Sequence, residues 1–461
     1  MSARRDEEFT RRSFLRATTV GGTGLLATAT SARPAASQET KPAESEPFRV
    51  DLDPLLVTQN PKIIAGRDAA LAVLKPTRAE LDRGLTLHHD SVVFDTYGFA
   101  PRAAIDGAAF DKLASEGASI AELQDLREEM SMTRAAHSPA EADEFREAFR
   151  CAGVTCIFQN SGEEGQDIPR LLKRLARFTY LTDNLRDTLV RATRPEDVEA
   201  AKQAGRNCLY LTGNGVPLPQ LWNSAQEELG YIRIFYQLGI RMMHLTYNRR
   251  NMLGDGCAEP ANGGISDFGR MAIEEMNRVG VIVDVAHSGW QTSLEAAKAS
   301  SKPMVASHTV CDAVRHHIRA KPDEVIAAIC DTGGLIGLCW ISSFVGGQGG
   351  MVELLDHIDY AAKKFGTEHI GVGTDTAHMS QLASSPEAKT TFRTPRSRTR
   401  FGALWPEGSL GGNWPARDTL AWTNWPLLTV GLVQRGYSDE QIRQIIGGNM
   451  LRVCQDALPQ V

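Results

Sequence analysis

Short runs of apolar, largely β-branched residues recur along the chain and alternate with longer amphipathic stretches. Runs of this length and composition are typical of strands buried on both faces, and the stretches between them are long enough to form helices. Repetition of such a strand and helix pair predicts an α/β protein with a single large (β/α)8 TIM barrel over residues 51–461. The eight runs are 91–95, 154–159, 207–212, 241–247, 281–287, 303–308, 334–340 and 369–375.

The segment 268–279 illustrates the predicted helices. Its apolar residues, among them Met276 and Val279, recur at intervals of three to four, and Gly280 follows as a helix stop. An open, doubly wound sheet is the alternative arrangement of the same units. No Gly-x-Gly-x-x-Gly turn follows the first run, so the sequence does not indicate a nucleotide crevice and favours the barrel.

The N-terminus contains the adjacent arginines Arg11 and Arg12, followed by a hydrophobic and basic flank and a weakly apolar stretch at 17–29. This order is typical of a twin-arginine export signal, although a basic tail would also contain paired arginines by chance. The apolar stretch is too short and too rich in glycine for a stable bilayer-spanning helix. We therefore expect an export signal at 1–40, a polar linker at 41–50 and a periplasmic or secreted mature protein.

Composition narrows the class of partner. Hydrophobic residues make up 42% of the chain, charged residues 23%, and the formal net charge is −6, which together indicate a globular protein. No basic patch with interleaved aromatic residues is present, so nucleic acid is not an expected partner. The eight cysteines include no Cys-x-x-Cys pair, which disfavours structural zinc, and Cys208 and Cys339 lie in apolar runs where buried free thiols are expected.

Polar residues end several runs, at the edge where barrel enzymes carry their active sites. His287 and His308 close neighbouring runs, and Asp375 closes the last run. Strand ends converge in a barrel, so the two imidazoles can hold a divalent ion while Asp375 binds metal or acts as a general base. Arg319 follows His308 and can clamp a carboxylate. Each residue alone also fits a packing or surface role, and their combination predicts the site.

Motifs from residue 229 to the C-terminus resemble the membrane (renal) dipeptidase family in the same order, whereas the preceding region resembles it weakly. The motifs are 229–247, 264–269, 275–280, 283–288, 303–308, Arg319, 373–375, 435–438 and 447–453. The resemblance implies a barrel hydrolase that cleaves dipeptides with two zinc ions. It also implies that His287 and His308 hold one zinc. Asp375 would contact the other metal and the catalytic water, and Arg319 would bind the substrate carboxylate.

The remaining ligand positions depart from the family pattern. The first strand of the family ends in Asp-x-His-x-Asp, whereas Tyr97 and Phe99 replace the His-x-Asp pair here. Asn214 stands where a bridging glutamate is expected, and Tyr247 replaces a histidine that stabilises the reaction intermediate. A neutral amide cannot offset the repulsion between two cations about 3.5–4 Å apart. We therefore expect one zinc ion rather than two, with a metal-free site as the alternative.

Three functions remain open from the sequence. The first is an exported metallohydrolase that cleaves a small dipeptide-like amide with a mononuclear site. Arg319 and Asn214 would then bind substrate, and Asp375, Tyr97 and Tyr247 would take part in catalysis. The second is a non-peptidase tailoring reaction, such as maturation of a peptide metabolite or siderophore. The third is a non-catalytic barrel that binds a carboxylated ligand. The family resemblance adds a homodimer as an option.

Overall fold

The centre of the fold is a parallel sheet in the computed structural model, which describes residues 53–162, 167–394 and 401–459. The predicted export signal at 1–40 and linker at 41–50 lie outside the described residues. The strands are β1 Phe94–Gly98, β2 Cys156–Asn160, β3 Leu189–Arg191, β4 Asn207–Gly213, β5 Ile240–His244, β6 Ile282–Asp284, β7 Val305–Cys311, β8 Ala320–Lys321, β9 Leu335–Cys339 and β10 Ile370–Gly373.

Eight of these strands close into a barrel in the order β1, β2, β4, β5, β6, β7, β9, β10 and back to β1, and every pairing is parallel. The short strands β3 and β8 extend the sheet outside this ring, beside β4 and β7. The predicted (β/α)8 barrel is confirmed, and each of the eight predicted runs overlaps a barrel strand.

Two of the described helices precede β1, and the others come after it along the chain. The helices are α1 Pro61–Leu74, α2 Arg78–Asp90, α3 Gly107–Ser115, α4 Ile120–Thr133, α5 Pro139–Ala152, α6 Ile168–Asn184, α7 Pro195–Gln203, α8 Ala225–Gln237, α9 Asp267–Val279, α10 Trp290–Ala299, α11 Asp323–Asp331, α12 Ser342–Val345, α13 Met351–Phe365, α14 Phe401–Leu404, α15 Trp425–Gln434, α16 Asp439–Arg443 and α17 Asn449–Ala457. In the part of the chain that is described, none of these helices combines the length and apolarity needed to cross a bilayer.

Helix α9 begins and ends as its sequence predicts. The Ser266 side chain accepts a hydrogen bond from the backbone N–H of Gly269, which satisfies a donor that the first turn leaves unpaired. Gly280 ends the helix with φ 92°, a left-handed conformation that glycine adopts without a Cβ clash. Ile273 and Met276 are buried on the inner face, so the apolar spacing seen in the sequence attaches the helix to the core.

Aromatic rings fill the barrel interior. Side chains alternate across a strand, and Phe94, Phe158 and Tyr210 lie on the faces of β1, β2 and β4 that share one buried cluster. The Phe94 and Phe158 ring centroids are 5.4 Å apart, and those of Phe158 and Tyr210 are 5.0 Å apart. All eight cysteines are free, and Cys208 and Cys339 are buried as expected. Polar groups collect farther along the strands, towards their C-terminal ends.

Several strand boundaries differ from the predicted runs. Strand β6 ends before His287 and β10 ends before Asp375, so both side chains stand on the loops that leave the barrel. His308 lies inside β7, because this strand continues to Cys311 and pairs there with β8. The predicted runs therefore place the polar residues at the correct edge of the barrel but not at the last residue of each strand.

Candidate active site

Three imidazoles converge at the C-terminal edge of the barrel. His244 ends β5, His287 follows β6, and His308 lies in β7. One ligand nitrogen from each ring lies within 4.8 Å of the other two, and all three residues are buried. The Nε2 atoms of His287 and His308 are 2.9 Å apart. The structure thus brings together the two predicted histidines and adds a third that the sequence analysis did not select.

A hydrogen bond at Nδ1 and a stacked ring fix the orientation of His287. Its Nδ1 lies 2.7 Å from Asn248 Oδ1, and the same oxygen accepts a 3.2 Å hydrogen bond from the Cys257 thiol. An amide oxygen only accepts, so the proton of His287 resides on Nδ1 and the Nε2 lone pair faces the site. The Tyr247 ring stacks on the His287 ring with centroids 4.0 Å apart, which holds the imidazole in place.

The hydrogen-bond partner of His308 is a hydroxyl group. Its Nδ1 lies 2.9 Å from the Ser307 hydroxyl, which can donate or accept a hydrogen bond. The Tyr97 ring stacks on the His308 ring at a centroid distance of 3.9 Å. Burial, reinforced by the nearby Arg319 guanidinium, holds the pKa of both His287 and His308 well below the ordinary value. The two imidazoles are therefore neutral at pH 7, the form that binds metal ions.

His244 faces a buried carboxylate. Its Nε2 lies 2.9 Å from Asp284 Oδ2, and both residues are fully buried. The other oxygen, Asp284 Oδ1, accepts hydrogen bonds from the backbone N–H groups of Ala286 and Ser307. Burial on its own would raise the pKa of Asp284, but the contact with His244 and these hydrogen bonds outweigh it and lower the pKa. Asp284 is thus ionised beside the His244 ring.

A sequence signal for this pair exists. His244 and Asp284 are register partners on neighbouring parallel strands, and each is the polar residue that ends its strand. The predicted run 241–247 extends past the end of β5, so Tyr247 is its last residue and His244 stands inside it. The predicted barrel places these two strands side by side, but the sequence does not give the register that sets His244 opposite Asp284.

Asp375 stands on the loop after β10 in a left-handed conformation, with φ 51°. Its backbone N–H donates to the Tyr97 carbonyl over 2.9 Å, which ties this loop to the end of β1. Burial raises the pKa of the Asp375 carboxyl to about 6, although Arg319 and His244 favour its charged form. Among the described residues, no carboxylate belongs to the three-histidine group, so the role of Asp375 as a metal ligand stays a prediction.

Asp95 supports the turn that carries Asp375. It is fully buried and accepts hydrogen bonds from Thr374, at 2.9 Å from the backbone N–H and 2.6 Å from the hydroxyl. Trp422 Nε1 donates to the same carboxylate over 3.2 Å. Gly98 leaves room for it, because a Cβ there would lie 2.3 Å from Asp95 Oδ2. Burial raises the pKa of Asp95 to about 7 in spite of these donors.

Arg319 reaches the site from the short segment before β8. Its Nη2 donates to the His308 carbonyl over 2.9 Å, and its Nε lies 3.3 Å from the Ala286 carbonyl. The side chain is fully buried, and Nη1 has no hydrogen-bond partner among the described residues. The rings of Phe344 and Trp405 lie 5.2 and 5.9 Å from the guanidinium carbon. Arg319 Nη1 is thus a buried donor near the histidines that has no hydrogen-bond acceptor among the described residues.

Three of the four positions that depart from the family pattern, Tyr97, Phe99 and Asn214, contact each other. The Tyr97 hydroxyl donates to Asn214 Oδ1 over 2.7 Å, and both residues are buried. The Phe99 ring packs edge-on against Tyr97, with the Arg102 guanidinium carbon 5.3 Å from its centroid. Burial raises the pKa of Tyr97 well above its ordinary value, so the phenol is neutral and serves as a donor. These side chains form a hydrogen-bonded aromatic wall.

The three imidazoles form a donor set that fits a divalent metal ion. His287 and His308 present neutral nitrogens towards each other, and His244 offers a third within reach. On the β1 and β4 side, Tyr97 is a neutral phenol that donates a hydrogen bond to the amide oxygen of Asn214. The three-histidine group is therefore a candidate site for a divalent cation.

A closed parallel barrel with imidazoles, a carboxyl group and a guanidinium at the C-terminal strand ends defines the class of metal-dependent barrel hydrolases. The comparisons agree with this class. A family model for membrane dipeptidase (Peptidase family M19) matches residues 87–387, which is more than half of the chain. The protein belongs to the membrane dipeptidase family, and the resemblance noted in its sequence is confirmed.

Individual relatives are more distant. Dipeptidase verJ of Clonostachys rogersoniana is 28% identical over 284 residues, covering 61% of this chain and 63% of the relative. Dipeptidase tcpJ of Claviceps purpurea is 25% identical over 275 residues, covering 59% of this chain and 56% of the relative. The chain thus spans less than two thirds of the length of these curated relatives.

A solved structure shares the fold. The metallopeptidase from Rhodobacter sphaeroides, in complex with a phosphinate mimic of the dipeptide L-Ala-D-Ala, has a TM-score of 0.56 and 16% sequence identity. The similarity covers 80% of this chain and 100% of that one. At this identity the match supports the barrel architecture alone.

Proposed function

We propose that the protein is an exported metallohydrolase that cleaves a small dipeptide-like amide with one divalent metal ion, zinc being the expected ion. One observation supports this proposal above all. The Nε2 atoms of His287 and His308 lie 2.9 Å apart, and Arg319, which also reaches the site, has an Nη1 atom without a hydrogen-bond partner among the described residues. A pair of neutral nitrogens beside a buried cation suits a substrate that carries both a reactive carbonyl and a carboxylate.

Arg319 binds the carboxylate of the substrate. Two of its donor atoms are fixed by the Ala286 and His308 carbonyls, so the guanidinium cannot turn away from the site. The unsatisfied Nη1 gains a charged acceptor when substrate binds, and a charge-assisted hydrogen bond in a buried site is stronger than one exposed to water. The contact therefore selects substrates with a free carboxylate, such as the C-terminal residue of a dipeptide.

Asp375 is the proposed general base. A divalent ion bound by the histidines would supply Lewis-acid chemistry, lowering the pKa of a water and polarising the scissile carbonyl. Asp375 takes a proton from the attacking water and passes it to the leaving amine nitrogen as the C–N bond breaks. A carboxyl pKa of about 6 suits this exchange, because the group is ionised at neutral pH and still holds a proton briefly.

Tyr97, Tyr247 and Asn214 shape the wall around the reacting carbonyl. Each tyrosine ring covers one imidazole, which excludes water from that face. We assign both tyrosines as hydrogen-bond donors to the oxygen that becomes negatively charged, and Asn214 as a substrate contact. Tyr97 donates to Asn214 in this structure, so binding of substrate exchanges that partner.

Export and assembly complete the proposal. The paired Arg11 and Arg12 support passage through the twin-arginine route to the periplasm or beyond, with residues 1–40 removed. A homodimer is proposed from family resemblance. Replacing Arg11 and Arg12 by lysine and fractionating cells tests the route, and light scattering on the purified protein gives the mass. Retention of the variant in the cytoplasm supports export.

The decisive experiment is a hydrolysis assay with matched substrates. The purified, zinc-supplied protein is given L-Ala-L-Ala, L-Ala-D-Ala and the same compounds with the C-terminus amidated, and release of the free amine is measured. We expect hydrolysis of at least one free dipeptide and at least tenfold lower kcat/KM for its amidated form. Asp375→Asn is the inactive control, since it keeps the shape of the side chain and removes its basicity.

The alternative outcomes are distinct. No hydrolysis of any free dipeptide by metal-loaded protein contradicts the proposed peptidase activity. Turnover restricted to larger amides that carry a carboxylate favours a tailoring reaction on a peptide metabolite, for which the unusual Tyr97 and Asn214 pair is the supporting observation. Binding of dipeptides without any turnover favours a carboxylate-binding barrel.

A further inference from the structure

The three-histidine group contains His244, which is not among the predicted metal ligands His287, His308 and Asp375. His244 sits at the end of β5 with both ring nitrogens buried. Its Nδ1 lies 3.2 Å from the Gly213 carbonyl oxygen, at the upper end of the range for an N–H···O hydrogen bond. Its Nε2 lies 2.9 Å from Asp284 Oδ2, yet neither atom has a well-directed hydrogen bond among the described residues. Buried polar atoms left in this condition are costly unless they have another partner.

The rings of His287 and His308 are oriented so that they can bind an ion next to His244. The proton of His287 is on Nδ1, since Asn248 Oδ1 accepts it. The hydrogen bond between the two facing Nε2 atoms therefore needs a proton on His308 Nε2. In this tautomer His308 Nδ1 carries no proton and accepts a hydrogen bond from the Ser307 hydroxyl. If the hydroxyl rotates and accepts instead, His308 moves its proton to Nδ1 and both Nε2 lone pairs become free. A cation can then replace this proton without leaving any nitrogen unsatisfied.

We infer that His244 is the third metal ligand of this protein and that Asp284 is the residue that positions it. The site is then a three-imidazole centre for a single divalent ion with an open fourth position, in place of a carboxylate-bridged pair of ions. This inference rests on the proposed single-metal hydrolase and specifies its metal site. The Tyr97 and Asn214 pair closes the side on which a second ion would otherwise bind.

Charge and burial support the role of Asp284. A carboxylate that faces the second ring nitrogen of a ligating histidine holds the ring and raises its basicity, and loss of such a partner lowers metal affinity by about 10–100-fold. Asp284 Oδ2 lies 2.9 Å from His244 Nε2, so Nδ1 is the nitrogen of His244 that binds the ion. Asp284 is fixed by the backbone N–H groups of Ala286 and Ser307, the residues next to His287 and His308. One carboxylate therefore connects all three ligand segments. Three imidazoles and one anion behind them also leave the loaded site less positive than three imidazoles alone.

Binding of cobalt(II) tests the inference without reference to activity. Protein stripped of metal with a chelator is titrated with Co²⁺, the visible absorption bands give the affinity, and elemental mass spectrometry gives the number of ions per chain. We expect one ion per chain. His244→Ala should bind Co²⁺ at least 100-fold more weakly, and Asp284→Asn about 10–100-fold more weakly, in line with the effect of such supporting groups.

His316→Ala is the matched control. This histidine stands on the loop between β7 and β8, its side chain is 79% exposed, and it pairs with Asp312 rather than with the site. Its loss should leave Co²⁺ affinity unchanged. Circular dichroism of each metal-free variant separates a lost ligand from a lost fold. If His244→Ala is unfolded, Asp284→Asn and a His244→Gln variant, which keeps a side chain of similar length, provide the comparison.

Two results would overturn the inference. One is wild-type affinity in a folded His244→Ala protein, and the other is binding of two ions, or of none, by the wild-type chain. The outcome of the dipeptide assay is independent of the outcome of the Co²⁺ titration. A protein that binds one Co²⁺ through His244 but does not cleave dipeptides keeps the metal site and loses the proposed activity, whereas a dipeptidase with unchanged metal binding in His244→Ala keeps the activity and loses the site.

Discussion

The Tyr97 hydroxyl and Asn214 Oδ1 are joined by a 2.7 Å hydrogen bond across the β1 and β4 side of the barrel mouth. Both residues replace metal ligands expected from the family, and they satisfy each other instead of pointing to an ion. Asn214 lacks the negative charge of the expected glutamate, so no second cation is needed to balance a charge at this position. We therefore expect the hydrogen bond between Tyr97 and Asn214 to contribute to the free energy of unfolding.

Removal of the Tyr97 hydroxyl should destabilise the protein. Tyr97→Phe leaves Asn214 Oδ1 buried without a donor, so we expect a loss of about 1–3 kcal/mol in the free energy of unfolding, measured with urea. Tyr210→Phe is the matched control, because the buried Tyr210 hydroxyl has no hydrogen-bond partner among the described residues and its removal should cost nothing or stabilise the protein. Equal losses in both variants would contradict the importance of the Tyr97 and Asn214 contact.

Replacement of Arg319 by lysine should weaken recognition of the substrate carboxylate. An ammonium group cannot keep the contacts to the Ala286 and His308 carbonyls and also present a spare N–H in the plane of a guanidinium. We expect KM for free dipeptides to rise about 10–100-fold, with a smaller effect on amidated substrates. Arg315→Lys, on the exposed part of the same loop, should leave KM unchanged. A change in kcat alone would assign Arg319 to another step.

The activity should depend on ionisation of Asp375. Because burial raises its pKa to about 6, the basic form is lost as the pH falls, and kcat/KM should decline below a midpoint near pH 6. Asp375→Asn should reduce kcat about 100-fold or more, and asparagine tolerates the left-handed backbone at this position. Initial rates between pH 4.5 and 8.5 provide the measurement. A midpoint close to pH 4 would show that a solvent-exposed carboxylate is the base.

Asp95 should make stability fall with increasing pH. Its pKa is about 7 in the folded protein and near 3.8 in the unfolded chain, so the folded state holds the proton more tightly. The stabilisation is fully present at low pH and is lost as the pH rises through about 7. From pH 5 to pH 8 the wild type should lose about 2 kcal/mol more than Asp95→Asn. Urea unfolding at both pH values measures this difference.

Asp143→Asn controls for a general effect of removing a carboxylate, since Asp143 is exposed on α5. Its pH dependence should match that of the wild type. If Asp95→Asn keeps the full wild-type pH dependence, another buried group is responsible for it, and the Asp95 carboxyl is ionised in the folded protein despite its burial.

The barrel could be predicted because its strands are buried on both faces. Burial selects apolar, β-branched residues along every strand, and the repeated helical stretches leave few other arrangements. The ends of strands are less well encoded. β7 continues past His308 because it pairs with β8, a contact between segments that local composition does not reveal. The short strands β3 and β8 were not predicted for the same reason.

The amino-acid sequence by itself determined the barrel, the family and the residues His287, His308, Arg319 and Asp375 as candidates, because each follows from local composition or motif order. The tertiary structure decided which side chains share a site. Closure of the barrel sets β5 beside β6, so His244 meets Asp284, and sets β1 near β4, so Tyr97 meets Asn214. These contacts depend on strand register and ring orientation, which are fixed only when the whole barrel packs.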